Sequence, residues 1–95
     1  MEGNNVVVAV KDQVTADLVG EVVVLNMESG IYYGLNAVGA RIWELIQEPI
    51  QVKSIEEIIM LEYAVEKEEC QKDVRGLLEE LAKAELIEVS NDSHH

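Results

Sequence analysis

One cysteine, two histidines and seven basic residues are all that this chain holds of the side chains that build many active sites and nucleic-acid interfaces. Each scarcity excludes something. A single cysteine, Cys70, can make neither an internal disulfide nor a thiolate cluster for zinc, so the hydrophobic core must hold the fold without staple or structural metal. His94 and His95 follow the polar stretch Ser90-Asn91-Asp92-Ser93, which reads as a free end or the remnant of a purification tag rather than a metal site. Ser-His-Asp or Cys-His catalysis needs an imidazole inside the folded body, and both histidines lie in the tail. Against the seven bases stand 19 acids, a net charge of -12, the reverse of the balance that binds phosphate backbones. No apolar run nears the roughly 18 residues of a membrane span, and the opening MEGNNVVVAV lacks the basic start of a signal peptide. The expectation is a cytoplasmic protein with neither nucleic acid nor membrane as partner.

What is present suits one small domain over residues 1–95, ordered from about 5 to 89 and followed by a polar tail from 90 to 95. At 95 residues and 48% hydrophobic content the chain can bury a modest core but not a large cleft, which disfavours an enzyme.

Hydrophobic periodicity divides the chain near Asn36 into a β-type front and an α-type back. Val6 to Val10 reads as a short β-branched strand, and Glu21 to Met27 as a second. Glu28-Ser29-Gly30 suits a three-residue hairpin loop with Gly30 at positive φ, and Ile31 to Leu35 returns as the third strand. That loop pairs Met27 with Ile31 and Leu25 with Tyr33. Val23, Leu25, Tyr33 and Leu35 then share the core face, while Asn26, Tyr32 and Asn36 share the other. A first helix follows, with Asn36 as N-cap, carrying Val38, Ile42, Trp43, Leu45 and Ile46 until Pro49 stops it. A second starts at Ser54, where Ser54 and Glu57 form a capping box, with Ile55, Ile58, Ile59, Leu61 and Tyr63 inward. The third runs from Lys67 to Ala84 with Cys70, Val74, Leu77, Leu78 and Leu81 on its apolar stripe. Leu86 to Val89 forms a brief terminal strand or simply packs Ile87. The fold class is therefore α+β, a winged helix-turn-helix with a three-stranded antiparallel sheet followed by three helices. DNA-binding domains often have this layout, but the third helix offers six acids against four bases where the major groove would lie, so protein or peptide is the better partner.

Constellations for chemistry are scarce. Cys70 is either a small buried hydrophobe or part of a ligand groove, and its acidic neighbours argue against a reactive thiol. Adjacent acids such as Glu56-Glu57, Glu68-Glu69 and Glu79-Glu80 point about 100° apart on a helix and read as solvated faces rather than metal or acid-base sites. There is no G-x-G-x-x-G and no Walker lysine, so no phosphate cradle and no cofactor is expected. Gly34, like Gly30, is explained by backbone geometry. Gly76, inside the third helix, marks either close helix packing or the approach of a bound chain. What remains is the returning strand. As the edge of a meander it carries unpaired backbone groups, and Ile31-Tyr32-Tyr33-Gly34-Leu35 has no charge to protect it, which suits either a covering loop or an added peptide strand.

The run Leu25-Asn26-Met27-Glu28-Ser29-Gly30-Ile31-Tyr32-Tyr33-Gly34-Leu35-Asn36, followed by Gly39-Ala40-Arg41-Ile42-Trp43-Glu44-Leu45, resembles the PqqD-like family of precursor-peptide recognition elements. Ser54 to Ile58 and Asp73 to Leu81 extend the resemblance, which covers about residues 5 to 89 and is strongest to the stand-alone recognition proteins of lasso-peptide pathways. The resemblance implies a non-catalytic domain without cofactor. It would bind the leader segment of a ribosomally made precursor by β-strand addition and present it to processing enzymes. Carried over by position, the edge is Ile31, Tyr32, Tyr33, Gly34, Leu35 and Asn36, and the groove wall is Cys70, Asp73, Val74 and Leu77. Implied partners are the precursor leader, a transglutaminase-like leader peptidase and an asparagine-synthetase-like cyclase. An empty edge could also pair two chains. The alternatives are a PqqD-type chaperone serving a radical modifying enzyme and a winged-helix DNA regulator.

Overall fold

A computed structural model describes residues 1–19 and 21–91. His94, His95 and the end of the expected tail lie outside the described residues. In chain order the elements are β1 (Asn5–Ala9), β2 (Gln13–Leu18), β3 (Glu21–Asn26), β4 (Tyr32–Leu35), α1 (Ala37–Leu45), β5 (Ile50–Gln51), α2 (Val52–Tyr63), α3 (Lys67–Lys83) and β6 (Ile87–Asn91). The fold is α+β, with antiparallel strands and three helices. The strands form two three-stranded sheets, ordered β5-β1-β6 and β2-β3-β4.

The three-stranded meander ahead of the helices is present, but β1 is not part of it. Its first strand is β2, and β1 lies instead between β5 and β6, with Val7 opposite both Ile50 and Val89. β2 escapes a sequence reading because its alternation is inverted. Val14, Ala16 and Leu18 face outward, while Thr15 faces α1 and accepts a hydrogen bond from Trp43 Nε1 at 3.2 Å. The terminal strand also continues two residues past Val89, tied at its end by Asn5 Nδ2 donating to Asn91 Oδ1 at 2.7 Å.

The β3–β4 hairpin forms with Gly30 at φ 79°, as expected, but its register is one residue away from the expected one. Leu25 pairs with Tyr32 and Val24 with Tyr33, so the core face carries Val22, Val24, Asn26, Tyr33 and Leu35, and Leu25 turns outward. Asn26 causes the shift. It is buried, its Oδ1 accepts from the backbone N–H groups of Glu28 and Ser29, and its Nδ2 donates to the Glu85 carbonyl beyond α3. Its own N–H donates to the Ile31 carbonyl at 2.8 Å and its carbonyl accepts from Gly30, so the loop is Met27 to Gly30. One extra loop residue exchanges the two faces of β3, while Tyr33 and Leu35 of β4 keep the core face as expected.

Asn36 caps α1 through a 2.9 Å hydrogen bond from Gly39 N–H, as expected. The Ser54 capping box does not form. α2 begins two residues earlier, because Gln51 is held as a strand against Val6 and the Lys53 N–H donates to the Gly3 carbonyl. A distant backbone group replaces the side-chain cap. The inward face of α2 is Val52, Ile55, Glu56 and Ile59, while Leu61, expected inside, is 85% exposed. Glu56, expected in solvent, is only 4% exposed and is paired with Arg75 of α3 at 2.6 Å. A buried carboxylate is tolerated only with such a partner, and Glu56 in turn holds the Arg75 guanidinium above its ordinary pKa. α2 ends at Ala64 in the left-handed conformation, and the short turn leads into α3. The core joins Val7, Val24, Leu35, Ile42, Trp43, Ile55, Val74, Leu78 and Leu86 from both sheets and all three helices.

Candidate functional site

β4 is an edge of its sheet: β3 lies on one side and no strand among the described residues lies on the other. The pairing of Asn26 N–H with the Ile31 carbonyl sets the alternation of the ladder. Tyr33 and Leu35 direct their backbone groups toward β3, while Tyr32 and Gly34 direct theirs outward. Charged side chains are absent from Tyr32-Tyr33-Gly34-Leu35, so nothing in the strand's own sequence guards this edge.

Beside the edge lies a groove of about 440 Å³ between β4 and α3. Tyr33, Gly34, Leu35 and Asn36 form one side, and Cys70, Asp73, Val74 and Leu77 form the other. These eight expected site residues therefore converge on one concavity. Ile31 and Tyr32 do not line it. Ile31 precedes β4 in the hairpin, and the Tyr32 ring, 71% exposed, stands on the face opposite Tyr33 and Leu35, as the alternation of the strand requires.

Sequence reasoning missed the rest of the lining: Val38, Gly39 and Ile42 of α1, Ile59 and Tyr63 of α2, and Val65 in the turn before α3. Val38 and Ile42 were legible only as core positions of a helix, and nothing local says that a helix end borders a cavity. Gly39 carried a signal. A Cβ there would stand 3.2 Å from Leu35 Cδ2, so the glycine lets the start of α1 close on the end of β4. Gly34 and Gly76 differ: Gly34 is not at positive φ, and neither glycine has anything within 4 Å of a built Cβ. Backbone geometry therefore does not require glycine at 34, and close helix packing does not require it at 76.

Val74 and Cys70 floor the groove and belong to the core as well. The Cys70 Sγ donates to the Glu56 carbonyl at 3.4 Å. Burial, with the charges of Glu56 and Asp73, pushes the thiol above its ordinary pKa, so Cys70 is a small buried side chain with little thiolate character. At one end of the groove the Tyr33 hydroxyl donates to Glu80 Oε1 at 2.6 Å, and this hydrogen bond to a carboxylate raises the phenol pKa. Next in sequence to the lining residues Ile42 and Tyr63, Arg41 holds Glu62 through two hydrogen bonds of 2.9 and 2.8 Å, tying α1 to α2 and keeping the Glu62 carboxyl below its usual range. The helical period puts Glu66, Asp73 and Glu80 on the groove-side flank of α3 and turns Lys72, Arg75 and Lys83 away from it. Among the described residues no group of His, Cys, Asp and Glu is arranged to hold a metal, and no helix is long and apolar enough to cross a membrane.

The model of the family described as coenzyme PQQ synthesis protein D (PqqD) matches residues 21–87, from the start of β3 to the start of β6. The chain belongs to the PqqD family. A solved structure described as TbiB1 in complex with the TbiA(beta) leader peptide is 38% identical, covers 85% of this chain and 94% of that one, and superposes with a TM-score of 0.75. Lasso peptide synthetase B1 complexed with the leader peptide shares the fold at 21% identity and a TM-score of 0.74, covering 86% of this chain and 96% of its own. No curated protein matches the chain. The PqqD match includes β4, the groove and α3, and leaves β1 and β2 outside it.

Proposed function

We propose that this PqqD-family protein binds the leader segment of a ribosomally made precursor peptide as a strand added to β4, and presents it to the processing enzymes of lasso-peptide biosynthesis. The observation that carries this reading is an uncharged open strand with an apolar-floored groove directly beside it. The 38% identical relative solved with a leader peptide supports it.

The outward N–H and C=O groups of Tyr32 and Gly34 supply main-chain hydrogen bonds that fix register, and alternate peptide side chains enter the groove over Leu35, Val74 and Leu77. Ordering a disordered leader costs about 2–5 kcal/mol of the gross interaction, which leaves a moderate affinity. Asp73 and its acidic neighbours on α3, within a chain of net charge -12, draw a lysine-containing leader at long range and raise its association rate at low salt. The protein performs no covalent step in this scheme. Its partners are a transglutaminase-like leader peptidase and an asparagine-synthetase-like cyclase, in the cytoplasm where precursor peptides are made. The family description keeps a second reading, a PqqD-type peptide chaperone for a radical modifying enzyme, which uses the same edge and groove.

Leu77→Asp is the direct test. Leu77 is half-buried and lines the groove, whereas Val74, at 1% exposure, would unfold the core when charged. Fluorescence anisotropy with the labelled cognate leader is expected to show affinity weakened by about tenfold or more, with the circular dichroism spectrum retained. Unchanged affinity would exclude the groove as the peptide site.

A further inference from the structure

α2 supplies Ile59 and Tyr63 to the groove, and two cross-helix ion pairs hold it in place. Glu56 joins it to α3 through Arg75 at 2.6 Å, and Glu62 joins it to α1 through the Arg41 fork at 2.9 and 2.8 Å. The pairs differ in depth. The Glu56 side chain is 6% exposed, whereas those of Arg41 and Glu62 are 34% and 39% exposed. Breaking a buried pair strands a charge in the core, while a half-exposed pair can be removed with the fold intact.

The half-exposed pair sits where it acts on the groove. Arg41 is three residues past Val38 and next to Ile42, and Glu62 is three residues past Ile59 and next to Tyr63. All four of those neighbours line the groove, and helical spacing keeps each partner beside its two. Ile42 and Ile59 are fixed in the core, but Tyr63 is 40% exposed and Val38 is only half-buried, so their separation depends on how the two helices are held. The last turn of α2 needs an outside hold. It has no basic residue of its own to meet the helix dipole, and it ends at Ala64 with φ 53°, a conformation that favours glycine. Arg41 brings the missing cation from α1. Its Nη1 also reaches Glu44 Oε1 at 3.3 Å, so the guanidinium is held on its own helix with its fork directed at Glu62.

We propose that Arg41 and Glu62 are a positioning pair for peptide recognition: their bridge fixes the spacing of Val38 and Ile42 from Ile59 and Tyr63, and that spacing sets which apolar peptide side chain fits between α1 and α2. The proposal rests on the reading of the groove as the leader site. Neither Arg41 nor Glu62 lines the groove, so each acts only through the residues that do. A binding site keeps its selectivity when the side chains that touch the ligand are locked from behind by packing and hydrogen bonds. Without the bridge the last turn of α2 loosens, and the peptide must order Tyr63 and Val38 as it binds. That cost appears as faster dissociation.

The test uses the full chain, the labelled cognate leader, and a set of leaders in which each apolar residue in turn is replaced by alanine. Arg41→Met combined with Glu62→Gln removes the bridge and keeps the net charge at -12, so the long-range attraction of the leader is unchanged. In stopped-flow fluorescence the double variant is expected to associate at the wild-type rate and to dissociate about three- to fivefold faster, with its circular dichroism retained. Arg41→Lys keeps the charge without the fork and is expected to fall between the two. Across the alanine set, the loss should vanish for the leader that lacks the side chain held between α1 and α2 and persist for the others. Unchanged kinetics in the double variant overturns the proposal. So does a loss spread equally over every leader and matched by a lower melting temperature, since the pair would then serve stability alone. If the wild type binds no leader, the reading of the groove falls and this proposal with it, whereas a wild type and a double variant that bind leader identically overturn this proposal alone.

Discussion

The two sheets of this small protein are built from the same kinds of strand and do opposite work. The sheet β5-β1-β6 pairs residues far apart in the sequence, Asn5 with Asn91 and Ala9 with Ile87, and is tied to the end of α1 through Ala9 N–H to the Ile46 carbonyl and to the turn between α3 and β6 through Val10 N–H to the Leu86 carbonyl. The sheet β2-β3-β4 is a meander confined to Gln13–Leu35, with an uncharged edge at β4 and an uncovered outer face. Long-range pairing holds β1 on both sides, between β5 and β6, whereas β4 is paired on one side only and its other side is on offer. A domain this small has little core to spare, so separating the strands that hold from the strands that bind lets the latter stay open without loosening the fold.

The contrast is sharpest in stability. Leu86 is fully buried where α3 turns into β6, and Leu86→Ala is expected to cost about 2–5 kcal/mol. Leu25→Ala, on the outer face of the meander at 36% exposure, is expected to cost about 1 kcal/mol or less. Urea unfolding with an unchanged slope reads both. Equal losses would show that the meander's outer face is as structural as the junction of α3 with the sheet β5-β1-β6.

The same division explains what could be read from the sequence. The hairpin turn at Gly30, the cap at Asn36, the stripe of α3 and the uncharged edge are local signals, and each holds. The errors sit where a distant partner decides. Asn26 sets the register by bonding to Glu85, Gly3 replaces the Ser54 cap, and Arg75 draws Glu56 inside. β2 was hidden because its apolar residues face solvent, the inverse of the pattern that identifies a half-buried strand. For the site, the edge and the α3 wall were legible as an open strand and a helical stripe. The α1 and α2 contributions, Val38, Ile42 and Tyr63, were not, because only packing brings those helix ends to the groove.

Within the meander, neighbouring residues of β4 should separate holding from binding. Tyr33 N–H points toward β3 and its ring lies on the core face, so Tyr33→Pro breaks a ladder bond and is expected to destabilise by about 1–3 kcal/mol. Tyr32 N–H points outward, so Tyr32→Pro is expected to leave stability within about 1 kcal/mol and to weaken leader binding by about five- to tenfold, the worth of one main-chain hydrogen bond. Thermal melts and leader titration distinguish the two. Full leader affinity in Tyr32→Pro would remove strand addition at β4 while leaving the groove itself in play.

The smallest effect tests whether β4 and α3 are coupled at all. The Tyr33 hydroxyl bonds to the Glu80 carboxylate, which favours the protonated phenol and raises its pKa above the ordinary value. A raised folded pKa means that the bond's contribution is complete below the unfolded tyrosine value of about 10, and is lost as pH climbs through the folded one. Glu80→Gln removes the charge, so the Tyr33 ionisation, followed by absorbance at alkaline pH against a Tyr33→Phe blank, is expected to move down toward about 10. The stability gap between wild type and Glu80→Gln should close over the same alkaline interval. A titration that Glu80→Gln leaves in place would mean that the groove is not bridged at this end, and that the open sheet and its helix wall meet only through the apolar floor.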